Sequence, residues 1–232
     1  MKVVILCGGI GSRLEEETKS IPKPMVKIGK IPIVQHIINY YKCFGYNDFI
    51  LATGYKKEVI EKYYKNNKNV KCVFTGKNTL TGGRILRLKK FFKKNENFLM
   101  TYGDGLTNQN LDKLVSFHIR KNKIATLTSV KPPARFGELK ISRNRVSSFK
   151  EKPQLQNNWI NGGFFVFNSK IFNFISGDKI MLEREPFQKL TKSRNLMAFK
   201  HYGFWQCMDT MRDKNLLEKL WKRKKAPWIK LK

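Results

Sequence analysis

The feature that most constrains this chain is a fully apolar run, Val3 to Leu6, that opens at once into Gly8-Gly9-Ile10-Gly11. An apolar run of that length reads as a buried strand, and the glycines behind it mark a tight turn. The same punctuation recurs downstream. Val34, Ile37, Ile38 and Tyr41 fall at i, i+3, i+4 and i+7, the stripe of an amphipathic helix. Strands are predicted over 49–52, 70–74, 98–102 and 125–130, with helices over 58–64, 85–92 and 111–119 between them. Strands alternating with helices at this spacing predict a Rossmann-like α/β fold: a mixed, mostly parallel sheet flanked by helices. After Pro132 the pattern shortens. Strands are expected over 139–141, 146–149 and 164–167, with turns at Arg143-Asn144 and Gly162-Gly163, and a helix over 213–222.

Composition narrows the function classes. The chain has 232 residues, 41% of them hydrophobic, which excludes a wholly disordered polymer and suffices for a continuous core. No apolar run reaches the roughly 20 residues of a membrane span. The start, Met1-Lys2-Val3-Val4, carries one lysine and no small-residue cleavage site, so it reads as a strand and not as a signal peptide. Cys7, Cys43, Cys72 and Cys207 stand far apart, which argues against a disulfide framework or zinc site and for a reducing cytoplasm. With 47 Lys+Arg against 17 Asp+Glu the formal charge is +30. Such a charge attracts any anion, but the lysines are spread along the chain. Runs such as Lys89-Lys90 and Lys222-Arg223-Lys224-Lys225 read as solvated faces, with no specific nucleic acid implied.

Chemistry concentrates at three places. Glycines directly after a parallel strand let backbone N–H groups approach an anion, and Arg13 and Lys23 supply positive charge nearby. No Gly-Lys-Ser/Thr follows, so this is not a P-loop, and Arg13 stands where the dinucleotide fingerprint needs its third glycine. A tight turn that needs glycine for geometry alone fits the loop equally well. Asp104, in Tyr102-Gly103-Asp104-Gly105, follows a predicted strand at the end where open α/β sheets bind ligands. Asp209, in Cys207-Met208-Asp209-Thr210, has a similar apolar setting. Two such carboxylates in a carboxylate-poor chain suit a divalent metal, although Asp before Gly also suits a plain turn.

Together, the glycine loop, Pro22-Lys23-Pro24-Met25, Thr81-Gly82-Gly83-Arg84, the Asp104 segment, Glu151-Lys152-Pro153, Asn161-Gly162-Gly163 and Met208-Asp209-Thr210 resemble the sugar-1-phosphate nucleotidyltransferases. The Thr-Gly-Gly-Arg segment, Gly203-Phe204-Trp205-Gln206 and Ala226-Pro227-Trp228 narrow the likeness to the cytidylyl branch, and it spans nearly the whole chain. The resemblance implies one nucleotidyltransferase domain over 1–232, with a sugar-binding small-strand region about 132–205 and a helical segment about 210–232. It implies transfer of cytidylyl from CTP to glucose 1-phosphate, giving CDP-glucose that feeds deoxysugar and lipopolysaccharide O-antigen synthesis. Leu6, Cys7, Gly8, Gly9, Ile10, Gly11, Ser12 and Arg13 would wrap the nucleotide. Lys23 would bind its triphosphate, with Thr79 and Arg84 near the base and Gly103 by the ribose. Asp104 and Asp209 would hold Mg²⁺. Lys152 would meet the sugar phosphate, while Glu151, Asn161, Gly162 and Gly163 would meet sugar hydroxyls. Arg13, Lys23, Asp104 and Asp209 carry the catalytic expectation. A homo-oligomer is also implied, and the short connection from Tyr64 to Phe74 points to an assembly smaller than in longer relatives. Two rivals remain: use of another nucleotide or sugar 1-phosphate, and a catalytically idle basic RNA-binding protein on the same fold.

Overall fold

The structure, a computed structural model, describes residues 1–9, 11, 14–132, 138–150 and 159–229. It opens with β1 (Val3–Cys7) and α1 (Glu15–Thr18), then a small ribbon of β2 (Lys27–Ile28) and β3 (Ile31–Pro32) that leads into α2 (Ile33–Lys42). Next come β4 (Phe49–Thr53), α3 (Lys57–Tyr64), β5 (Val70–Phe74), α4 (Thr81–Leu86), β6 (Asn97–Tyr102), β7 (Gly105–Thr107), α5 (Leu111–Lys121) and β8 (Ala125–Val130). A hairpin of β9 (Glu138–Ser142) and β10 (Arg145–Lys150) follows. After it come β11 (Ile160–Asn168), α6 (Glu185–Lys192), β12 (Leu196–His201), β13 (Trp205–Cys207) and α7 (Met211–Lys222).

Seven strands form the central sheet in the order β12-β8-β11-β6-β1-β4-β5. Only β11 runs antiparallel to its neighbours, so the expected mixed, mostly parallel sheet is found. The carboxyl ends of the other six strands therefore share one edge. Alternation along β1 explains the continuous apolar run. Val3, Ile5 and Cys7 face one core with α2, α5 and Leu217 of α7, while Val4 and Leu6 face a second core with Ile85, Phe98, Phe165 and Phe187. Both faces are covered, so no position on β1 has reason to be polar. Each fully buried Phe here, such as Phe98, Phe165 or Phe167, removes enough apolar surface to contribute roughly 2–3 kcal/mol. Among the described residues no helix is long and apolar enough to cross a membrane.

Two local expectations need correction. The helix expected over 85–92 begins earlier, at Thr81, and ends at Leu86, with a separate 3-10 turn at Lys89–Phe91. Gly82 and Gly83 disfavour a helix by propensity, but their N–H groups donate to Ile180 O, and Leu80 N–H donates to Asp178 O. The backbone of residues 178–180 thus lies against the first turn and fixes it. Gly162-Gly163 is not a turn: β11 runs through both, and its register against β8 shifts between Asn161 and Phe165. The turn at Arg143-Asn144 stands, both residues having positive φ. It joins β9 to β10 as a two-residue hairpin of the type that requires φ > 0.

Candidate active site

The carboxyl ends of β1 and β6 open on a cleft of about 1240 Å³ that also takes in Thr79, Arg84, Asn161 and Asp209. Its walls come from distant parts of the chain, and short ribbons bring them together. β13 pairs antiparallel with β7 in the register Cys207↔Gly105 and Trp205↔Thr107. One step further along that ribbon, Met208 N–H donates to Asp104 O at 2.9 Å. Asp104, just before β7, and Asp209, just after β13, therefore lie side by side.

Lys23 joins them. Its Nζ donates to Asp104 Oδ2 and to Asp209 Oδ1, each at 2.6 Å. The side chains are 13%, 25% and 19% exposed, respectively, so the charges are partly screened from water but remain open to the cleft. Burial alone would lower the Lys23 pKa; the charge and hydrogen bonds of Asp104 and Asp209 outweigh it and hold the pKa above the usual lysine value. The ammonium is placed by a 3-10 turn, Lys23–Met25, that follows Pro22 and stacks Pro24 beneath Gly103. The Asp209 turn is held from behind. Asp213 accepts from the backbone N–H of Asp209 and Thr210, and closes a capping box with Thr210 at the start of α7. Gln206 Nε2 donates to the other oxygen of Asp213 at 3.0 Å.

Arg84 is the second cation and is buried, 5% exposed. Nη1 donates to Thr53 O, Thr75 Oγ1 and Gly76 O, and Nη2 donates to Gly8 O and Lys77 O. Burial lowers its pKa below the usual arginine value, but a guanidinium remains charged there. It ties the glycine loop to the ends of β4 and β5, and a Cβ on Gly8 would collide with it. Thr18 ties the other limb, its hydroxyl donating to Gly11 O and Leu14 O.

Leu6, Gly8, Gly9, Gly11, Lys23, Thr79, Arg84, Gly103, Asp104, Asn161, Gly162, Gly163 and Asp209 all line the one cleft. Cys7 does not: it is fully buried at the end of β1 and faces the core, because β1 is still a regular strand there. Ile10, Ser12, Arg13, Glu151 and Lys152 lie outside the described residues. The cleft also contains Thr81, of the Thr-Gly-Gly-Arg segment, and residues to which the sequence assigns no role: Glu183, Arg212 and Asp213. Of these only Asp213 carries a readable signal, the Thr210-x-x-Asp213 capping pattern. Cys207 also borders the cleft; burial first, and then Asp209, push its thiol up to about 12, so it is no nucleophile at neutral pH. None of His36, His118 and His201 lines the cleft.

A chain with this site has close relatives. It is 45% identical to the glucose-1-phosphate cytidylyltransferase of Salmonella typhi, over 98% of both chains. Among solved structures, HddC from Yersinia pseudotuberculosis superposes with a TM-score of 0.74 at 27% identity, covering 95% of this chain and 99% of that one. A UDP-glucose pyrophosphorylase complexed with UDP-glucose shares the fold at a TM-score of 0.74 and 17% identity, covering 96% of this chain and 98% of that one. Residues 2–210 match the nucleotidyl transferase family, and by that match and these relatives the chain belongs to it.

Proposed function

We propose that this protein transfers a cytidylyl group from CTP to α-D-glucose 1-phosphate, releasing pyrophosphate and forming CDP-glucose. The observation that carries the reading is the meeting of Lys23, Asp104 and Asp209 beside the glycine loop, in a chain 45% identical to a glucose-1-phosphate cytidylyltransferase. The acceptor phosphate is already an anion at neutral pH, so no general base is required. That agrees with the absence of histidine from the cleft lining among the described residues. The difficulty is to bring one anion onto another, which calls for positioning and charge neutralisation.

Each part of that task has a residue. The backbone N–H groups of Gly8, Gly9 and Gly11 admit the nucleotide, with open space beside Gly9 and with Thr79 and Arg84 shaping the pocket for the base. Lys23 neutralises the two aspartates at rest and turns its ammonium to the α-phosphate when nucleotide enters. Asp104 and Asp209 present hard oxygen donors within reach of one cation, a set that suits Mg²⁺. When bound there, the ion would supply positive charge at the triphosphate. Arg13 and Lys152 are assigned to the triphosphate and the sugar phosphate. Glu151 and Asn161-Gly162-Gly163 are assigned to sugar hydroxyls. An oxygen of glucose 1-phosphate then attacks the α-phosphorus in line, and the bond to the pyrophosphate oxygen breaks. We read residues 1–232 as one such domain, with 132–205 on the sugar side, and expect a homo-oligomer smaller than those of longer relatives; light scattering that finds a large closed ring would refute the last point. Pyrophosphate release measured with each of the four nucleoside triphosphates and glucose 1-phosphate tests the reaction. CTP is expected to lead; equal or faster turnover with UTP would overturn the cytidylyl assignment and leave the fold untouched.

A further inference from the structure

A second carboxylate system crosses the cleft away from Lys23. Glu183 stands in the segment between β11 and α6 that lies against the first turn of α4. Thr81 Oγ1 donates to Glu183 Oε2 at 2.6 Å, and Thr81 in turn accepts from Leu182 N–H at 2.9 Å. The Tyr102 hydroxyl donates to the other oxygen, Glu183 Oε1. Asn161 bonds the same Tyr102 hydroxyl, and Asn161 Oδ1 accepts from Gly163 N–H at 2.9 Å.

The direction of this chain is determined. A carboxylate only accepts, so both hydroxyls must point at Glu183. Asn161 spends its oxygen on Gly163, so its amide N–H₂ is the group that meets Tyr102. One N–H of that amide is left over. Each oxygen of Glu183 likewise accepts one hydroxyl, which leaves lone pairs open to the cleft that Glu183 lines. The ring of Tyr102 cannot move away, because Gly163, at φ +76°, presses its backbone on it; a Cβ there would lie 2.6 Å from Tyr102 Cδ2. Burial, and after it Glu183, raise the Tyr102 pKa far above that of a free phenol, so the donor persists at any working pH.

We infer that Glu183 is a positioning and specificity-determining residue for the sugar: it fixes the Asn161 amide through Tyr102 and offers its open lone pairs to a sugar hydroxyl. This rests on the reading above of a sugar 1-phosphate as acceptor. A site built to pair a hydroxyl discriminates strongly against analogues that lack it, whereas a residue that only braced the fold would affect both substrates alike.

The test compares wild type, Glu183→Gln and Tyr102→Phe with CTP, glucose 1-phosphate and its four monodeoxy analogues (2-, 3-, 4- and 6-deoxy). Gln keeps the shape but can donate, which lets the chain reverse; Phe keeps the ring against Gly163. We expect Glu183→Gln to raise the KM for glucose 1-phosphate 10- to 100-fold, with the KM for CTP within about twofold. One of the four deoxy analogues should be penalised in the wild type and no longer penalised in the variant. Tyr102→Phe should raise the same KM about tenfold. Equal changes in both KM values, an unchanged sugar KM, or the same deoxy penalties in variant and wild type would overturn the assignment. If the wild type prefers another sugar 1-phosphate, the glucose reading fails and the same comparison on that sugar still decides Glu183. A wild type that turns over no pair overturns both.

Discussion

Lys23, half-buried, and Arg84, buried, are both cations on one cleft, yet they are held in opposite ways. Lys23 meets two carboxylates, those of Asp104 and Asp209. Arg84 meets four backbone carbonyls and one hydroxyl, with no carboxylate among its described partners. On the proposed reading the pairing of Lys23 is exchangeable: a cation that takes its place between the aspartates would free the ammonium for a phosphate. The pairing of Arg84 is architectural. Carbonyls from three separate connections lose their donors together if it is removed, and no ion can substitute for a planar fork.

The sharpest way to break this contrast is Arg84→Met. Stranding the carbonyls of Gly8, Gly76 and Lys77 should cost about 3 kcal/mol or more, read as a lower denaturant midpoint, and no divalent ion should restore it. Arg84→Lys should recover only part, since one ammonium cannot reach all five acceptors. Stability equal to wild type in Arg84→Met would show the guanidinium to be ornamental to the fold.

Asp104→Asn and Asp209→Asn come next, at about 3 kcal/mol in the activation barrier, a turnover loss of roughly 100-fold or more. Their thermal midpoints should stay near the wild-type value. The double variant should be barely worse than either single one, because the pair acts as a unit. Either Asn variant turning over normally at limiting Mg²⁺ would remove that residue from the ion site.

Lys23→Met sharpens the comparison from the other side. Leaving two carboxylates facing each other should destabilise the metal-free protein by about 2 kcal/mol. Unlike Arg84→Met, it should regain most of that with millimolar Mg²⁺, by ordinary linkage. A wild type that gains as much from Mg²⁺ without nucleotide would mean that Lys23 does not occupy the ion's place.

The smallest effect is on pH. His36, His118 and His201 all have pKa values lowered by burial, His118 to about 4. The folded protein thus resists protons that the unfolded chain takes up near the ordinary histidine value of 6.5. Stability should be full above pH 6.5 and decline as pH falls toward 4. Urea titrations at pH 7.5, 6 and 5 measure it, and a flat profile would contradict it.

The same contrast explains what could be read in advance. The α/β alternation was legible because β1, β4, β6, β8 and α2 owe their patterns to sheet faces that are buried over whole elements. Lys23 and Asp104 were legible because proline and glycine punctuate their turns, and Asp209 because it is a carboxylate in an apolar setting in a carboxylate-poor chain. β7 and β13 were not, since three residues carry no periodicity and their pairing is set by partners far along the chain. The first turn of α4 was hidden because its glycines lower helix propensity and the compensating contact comes from residues 178–180. Glu183 had no local signature at all; only the fold shows that Thr81 and Tyr102 converge on it.

The β7–β13 ribbon has a consequence for how the protein is made. Three paired residues span a separation of roughly a hundred positions between Asp104 and Asp209, and closing a loop of that size costs about 4 kcal/mol of chain entropy. So short a ribbon cannot meet that on its own. It must form after β12 has docked on β8 and as α7 packs through Leu217. During synthesis, therefore, the sheet can be largely assembled from β1 to β12 while the cluster of Lys23, Asp104 and Asp209 does not yet exist. A ribosome-stalled chain ending before residue 205 is expected to protect β1 and β6 from hydrogen exchange while leaving Lys23 with Asp104 alone.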